Sequence, residues 1–213
     1  MPNWASNVIH VTGEQGMVEK FLEQANTLHR HYSRNYAKDE AGRWVEVPGL
    51  LWAFIAPPAE ICTENEYFAV RDTDCSAKAN HWYNWNIAHW GTKWDVGDAN
   101  LDVLETNPAE YVARVSFETA WDAPIPVLKA MAEQYPTLDF SLEWWEEGAG
   151  VQGKVSAHGG RITSSFVGAT DHAWYLEKYG TCQDLWLHED EPGWTCPECG
   201  EIVAFTPAEI FGI

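Results

Sequence analysis

A chain of 213 residues with 46% hydrophobic side chains can bury a sizeable core, as one large domain or as a domain with an appendage. Its 13 Lys+Arg stand against 32 Asp+Glu, a formal net charge of −19, and that repulsion argues against direct contact with nucleic acid or an anionic membrane. No stretch approaches the ~20 apolar residues of a membrane span, and the opening Met1-Pro2-Asn3-Trp4 lacks the basic-then-apolar order of a secretory signal. The expected location is therefore the cytoplasm.

The first β-branched alternation, at 7–12, predicts a strand that ends at Gly13. Residues 14–32 follow as a helix, with Val18, Phe21, Leu22, Ala25 and Leu28 on one face. Residues 42–48 read as a turn-rich link and 50–55 as a short apolar run. A helix at about 76–89 ends at Gly91, with Trp82, Trp85 and His89 sharing a face. Strands are expected at 95–104 and 111–119. The second alternates clearly through Tyr111, Ala113, Val115 and Phe117.

Pro124 and Pro126 suit the first turn of a helix over 124–134, because the missing N–H groups have no intrahelical partner there. A strand at 138–145 follows. Strands at 151–156 and 161–166 then flank His158-Gly159-Gly160, a hairpin signal. Beyond 169 come a short helix near 174–178 and a cysteine-bearing tail.

The order β, α, β, β, α, β is that of the split βαβ, or ferredoxin-like, α+β arrangement, here with an insertion over about 36–94. A doubly wound parallel sheet is the alternative, but no glycine-rich phosphate loop follows the first strand. The expected division is a domain over 1–168 and an extension over 169–213.

Four strings stand out: Asn3-Trp4-Ala5-Ser6-Asn7, His89-Trp90-Gly91-Thr92-Lys93-Trp94-Asp95, Phe117-Glu118-Thr119-Ala120-Trp121-Asp122-Ala123-Pro124, and Trp144-Trp145-Glu146-Glu147-Gly148-Ala149-Gly150. In order and spacing they resemble the YubB-like family of phage and plasmid proteins over roughly residues 1 to 165. The resemblance implies a ferredoxin-like domain and a mobile-element setting. It implies no particular reaction.

Five cysteines, an odd number, suggest thiols or metal ligands in place of a disulfide framework. Cys196-Pro197-Glu198-Cys199-Gly200 is a knuckle that sets two thiolates on one metal, and a structural zinc needs four ligands. Cys182 is the expected third, and His188 the fourth, with His172 as its rival. An unliganded thiol pair is the plainer reading.

Lys93 lies between tryptophans in a cation-poor chain. One reading is a ligand site for a small anion or nucleotide built from Trp90, Thr92, Lys93, Trp94, Asp95, Trp121 and Glu146. The other is architectural, with Gly91 ending a helix and the tryptophans filling the core. Glu143, Glu146 and Glu147 read as solvated strand-end charge. His10, on a strand, reads as a satisfied core histidine. No H-E-x-x-H, G-x-S-x-G or Walker pattern occurs, and no catalytic residue is singled out.

Three functions remain. An acidic chain with 13 tryptophans suits capture, and inhibition, of a host protein with a basic surface. A small-ligand binder centred on Lys93 and an enzyme of unspecified reaction are the alternatives.

Overall fold

The structure, a computed structural model, describes residues 3–29, 47–58, 61, 81–96, 99–107, 110–170, 172–179, 195–197 and 200. The chain divides into two compact units, Met1–Val167 and Gly168–Ile213. The first holds the sheet, the larger of two among the described residues. Its strands are β1 (Trp4–Gly13), β4 (Asn100–Asn107), β5 (Glu110–Ala120), β6 (Asp139–Glu146), β7 (Val151–His158) and β8 (Arg161–Ala169), in the order β4-β5-β1-β6-β7-β8. The pairings of β1 with β5 and β6, of β4 with β5 and of β6 with β7 are antiparallel. Together with helices α1 (Gln15–Ala25) and α4 (Ile125–Gln134), the strands β4-β5-β1-β6 have the connections of a ferredoxin-like fold.

Strand alternation sorts the side chains onto two faces. Ala5, Ile9 and Val11 of β1, Ala113 and Val115 of β5, and Phe140 and Leu142 of β6 are buried with Val18 and Phe21 of α1 and Val127, Leu128 and Met131 of α4. Their alternate neighbours, among them Ser6, Val8 and His10, form the opposite, open face and are only half-buried. His10 therefore lies on the open face, which corrects its reading as a core histidine.

Gly153 of β7 lies beneath the Trp144 ring. A Cβ built there would fall 2.6 Å from Trp144 Cε2 and 2.9 Å from Phe166 O. Backbone on one side and a buried ring on the other leave little room to yield, so Gly153→Ala should cost about 1–3 kcal/mol in urea unfolding. A cost within about 0.5 kcal/mol of zero would refute this close packing.

The end of the first helix and the start of β4 depart from the sequence reading. The first helix ends at Ala25, where Asn26 donates its backbone N–H to Leu22 O and Thr27 Oγ1 donates to Glu23 O. Leu28, expected on its apolar face, is instead 55% exposed and belongs to β2 (Leu28–His29), paired with β3 (Val47–Pro48). Asp95 and Val96 precede β4 and are not part of it, because Asp95 is drawn to the helix α2 (Leu50–Phe54).

At five residues α2 is too short to stand alone, and distant side chains hold both its ends. The Asp95 carboxylate accepts from Leu51 N at 2.7 Å and Trp52 N at 3.2 Å. At the other end Gln24 Nε2 donates to Ala53 O and Gln134 Nε2 to Phe54 O, each at 2.8 Å. Helix α3 (Trp82–Trp90) stops at Gly91, whose φ of +80° is the left-handed cap the sequence anticipates. Turn residues Gly159 and Gly160, at φ +60° and +77°, join β7 to β8.

In the second unit, α5 (His172–Tyr179) is the described helix. No helix among the described residues is long and apolar enough to cross a membrane.

Candidate functional site

The four singled-out strings meet at one end of the sheet, where β1 begins and β5 and β6 finish. Trp4 is opposite Ala120, and Ser6 is opposite Trp145. Side chains then knit the strings together. Asn7 Nδ2 donates to Thr119 Oγ1 at 2.8 Å, and Thr92 Oγ1 donates to Ala120 O at 2.8 Å. Trp121 N donates to Asn3 O at 3.0 Å.

This scaffold absorbs much of the predicted ligand set. Trp90 is fully buried and donates through Nε1 to Ile55 O at 2.9 Å. Thr92, Trp94, Asp95 and Glu146 are buried as well. The Glu146 carboxylate accepts from Gly148 N at 2.8 Å and Ala149 N at 2.6 Å, closing the turn after β6. That burial corrects its reading as solvated edge charge. Glu147 is exposed, and Glu143 pairs with Lys154 across the open face at 2.7 Å.

Asp95 is 3% exposed and also accepts from Val96 N at 2.7 Å. Loss of water raises its pKa from 3.8 to about 7, while the three backbone donors pull the other way.

Lys93 and Trp121 are the predicted site residues that reach the surface. Lys93 Nζ lies 4.3 Å from the Trp94 ring centre, 5.4 Å from that of Trp121 and 5.8 Å from that of Tyr83. Aromatic faces attract an ammonium at such distances. Asn86, itself buried, holds the Lys93 carbonyl through Nδ2 at 2.8 Å. Trp121 is 41% exposed and is the one non-glycine residue with positive φ, +73°, among the described residues. A tryptophan in that region stores about 1–3 kcal/mol of backbone strain. Trp4, 46% exposed, packs on Trp94 with ring centres 5.8 Å apart.

Sequence reasoning did not place Tyr83 beside Lys93, and no local spacing signals it, since ten residues and a helix end separate the two. It also passed over a groove of about 560 Å³ on the open face, lined by residues that include Trp4, Ser6, Val8, Arg114, Ser116, Glu118 and Trp145. Even parity along β5 was the available signal for Arg114 and Glu118.

Of the predicted zinc ligands, Cys182, His188 and Cys199 lie outside the described residues, as does the side chain of His172. Cys196 is buried, and its carbonyl accepts from Gly200 N at 2.9 Å, with Gly200 at φ +76°.

Residues 89–183 match the family model described as the ferredoxin-like domain in Api92-like protein. The fold is ferredoxin-like. The matched stretch begins at the end of α3, so the central strand β1 lies outside it although it belongs to the same sheet. A crystal structure of a protein api92 from Yersinia pseudotuberculosis is similar over 78% of this chain and 98% of that one, at 10% identity and a TM-score of 0.48. No curated protein matches the sequence.

Proposed function

We propose that this protein captures a partner with a basic surface, using the aromatic end of its sheet. The observation that carries the reading is the set of rings around Lys93. Tyr83, Trp94 and Trp121 already hold one ammonium, and Trp121 and Trp4 still present over two fifths of their surface to solvent. Exposed carboxylates flank them at Glu118, Asp122 and Glu147. Rings supply anchoring area and a preference for cations, while the acids speed encounter and exclude acidic competitors. The net charge of −19 extends the same bias over the whole chain. In the mobile-element setting implied by the YubB-like resemblance, the partner is a cytoplasmic host protein that handles nucleic acid, and capture inhibits it.

The test is affinity capture from a host lysate with the wild type and three variants. Trp121→Ala should weaken capture about thirtyfold, the equivalent of roughly 2 kcal/mol for a central anchor, and Trp4→Ala should weaken it less. Added salt should slow association. Lys93→Ala separates this reading from the alternative of a small anion or nucleotide held on Lys93. It should leave capture within severalfold of wild type. Abolition of the biological effect by Lys93→Ala, with capture indifferent to Trp121, would favour the small ligand.

A further inference from the structure

The groove on the open face has two charged groups whose bonding is incomplete. Arg114 is half-buried, and among the described residues its side chain has one hydrogen-bond partner, Ser116 Oγ, which accepts from Nε at 3.0 Å. Both terminal nitrogens of the guanidinium keep their donors for something else. No ion pair forms with Asp102, its cross-strand neighbour on β4, whose carboxylate accepts from Asn100 Nδ2 at 3.0 Å. His10, its neighbour on β1, brings no acid. Glu118 lies further along the same face of β5, exposed, and no hydrogen bond or ion pair engages its carboxylate among the described residues. Arg114 thus faces the cavity with no ion pair among the described residues, although acids outnumber bases in the chain by more than two to one.

Their separation selects the ligand. Four residues of strand place the two Cα atoms about 13 Å apart. Both side chains can lean inward, leaving a gap that suits the ~10 Å between the ends of an extended tripeptide. A simple anion meets Glu118 and Asp95, which line the groove, and the net negative charge, and a simple cation leaves the Arg114 fork unused. A neutral molecule with a carboxylate at one end and an ammonium at the other satisfies both groups. Trp4 and Trp145 wall the groove at its Glu118 end, with Ser116 and Val8 between the two charges, and its volume of about 560 Å³ lies within the range of small-ligand sites.

We infer that this groove binds a short peptide with both termini free, its carboxylate on Arg114, its ammonium on Glu118 and an apolar side chain against Trp4 and Trp145. A planar guanidinium takes a carboxylate with two parallel hydrogen bonds. Ser116 holds the Nε edge, so the two Nη groups are the edge left for the ligand. The groove shares Trp4 and Glu118 with the surface proposed for the partner, but its test reads Arg114 with a small peptide and does not depend on that reading.

The probe is Ala-Phe-Ala, titrated by calorimetry against the full chain alongside its C-terminal amide and its N-acetyl form. The unmodified peptide should bind, and amidation should weaken it at least tenfold. Arg114→Gln should weaken the unmodified peptide to the same degree without weakening the amide further, because both changes remove one contact. Glu118→Gln and N-acetylation should form a second such pair. Arg114→Lys, which keeps the charge and loses the fork, should recover part of the affinity and guards against a folding defect in the glutamine variant. The inference fails if the peptide gives no heat at millimolar concentration, or if the amide binds as tightly as the acid. It fails equally if Arg114→Gln is folded and binds like wild type.

Discussion

Raising the pH from 5 to 8 should destabilise wild type by about 3 kcal/mol relative to Asp95→Asn, through this one carboxyl group. Its pKa is 3.8 ordinarily and about 7 when buried beside α2. Below pH 4 both folded and unfolded chains carry the proton, and its stabilising effect is complete. Between pH 4 and 7 the unfolded chain releases it while the folded chain keeps it, so stability falls as pH rises. Above 7 both are ionised and the penalty is constant. Each pH unit in that window corresponds to about 1.4 kcal/mol, and two units lie between 5 and 7. Asparagine keeps an oxygen for Leu51 N or Val96 N but has no charge to desolvate. Urea unfolding of both proteins at the two pH values measures the difference directly, which cancels other titrations. A gap that stays constant with pH would show that Asp95 is already ionised at pH 5 in the folded chain.

Trp90→Ala should cost about 3–5 kcal/mol, the range for emptying a buried aromatic site. Trp90 is fully buried, meets Trp85 edge-on with ring centres 5.4 Å apart, and donates to Ile55 O just past α2. Truncation therefore opens a cavity and strips a buried carbonyl of its donor. Typical domains have only about 5–15 kcal/mol to lose, so the variant should unfold at markedly lower urea concentration. Trp90→Phe should cost less, because it refills most of the space while still losing the hydrogen bond. A cost under about 1 kcal/mol for the alanine variant would mean that the site collapses without a cavity.

The β strands were legible because their side-chain period is local. Tyr111, Ala113, Val115 and Phe117 alternate in the sequence and all point into the core. The end of α1 was not, because Leu28 continues the helical apolar period and only its pairing opposite Pro48 draws it away. Asp95 could not be read as the cap of a helix over forty residues earlier, since nothing in its own neighbourhood records α2. The same division applies to the site. Lys93, Trp94 and Trp121 stand out as strings, whereas Tyr83 and Trp4 join them only through the fold. Arg114 and Glu118 were visible as charges, but their lack of ion-pair partners among the described residues is a property of the assembled face.

The strand at the centre of the sheet is also the earliest made. β1 is flanked by β5 and β6, and roughly 100 residues separate its end from the start of β5. At 5–20 residues per second a ribosome needs roughly 5–20 s to supply that neighbour, and β6 comes later still. Through that interval Val8, Ile9 and Val11 have no sheet to join, and both edges of the strand are open to another nascent chain. Such long-range pairing also slows folding once synthesis is complete. Mutual repulsion between acidic nascent chains on one polysome opposes their association during the wait, so the surplus of carboxylates protects the chain before it has a surface.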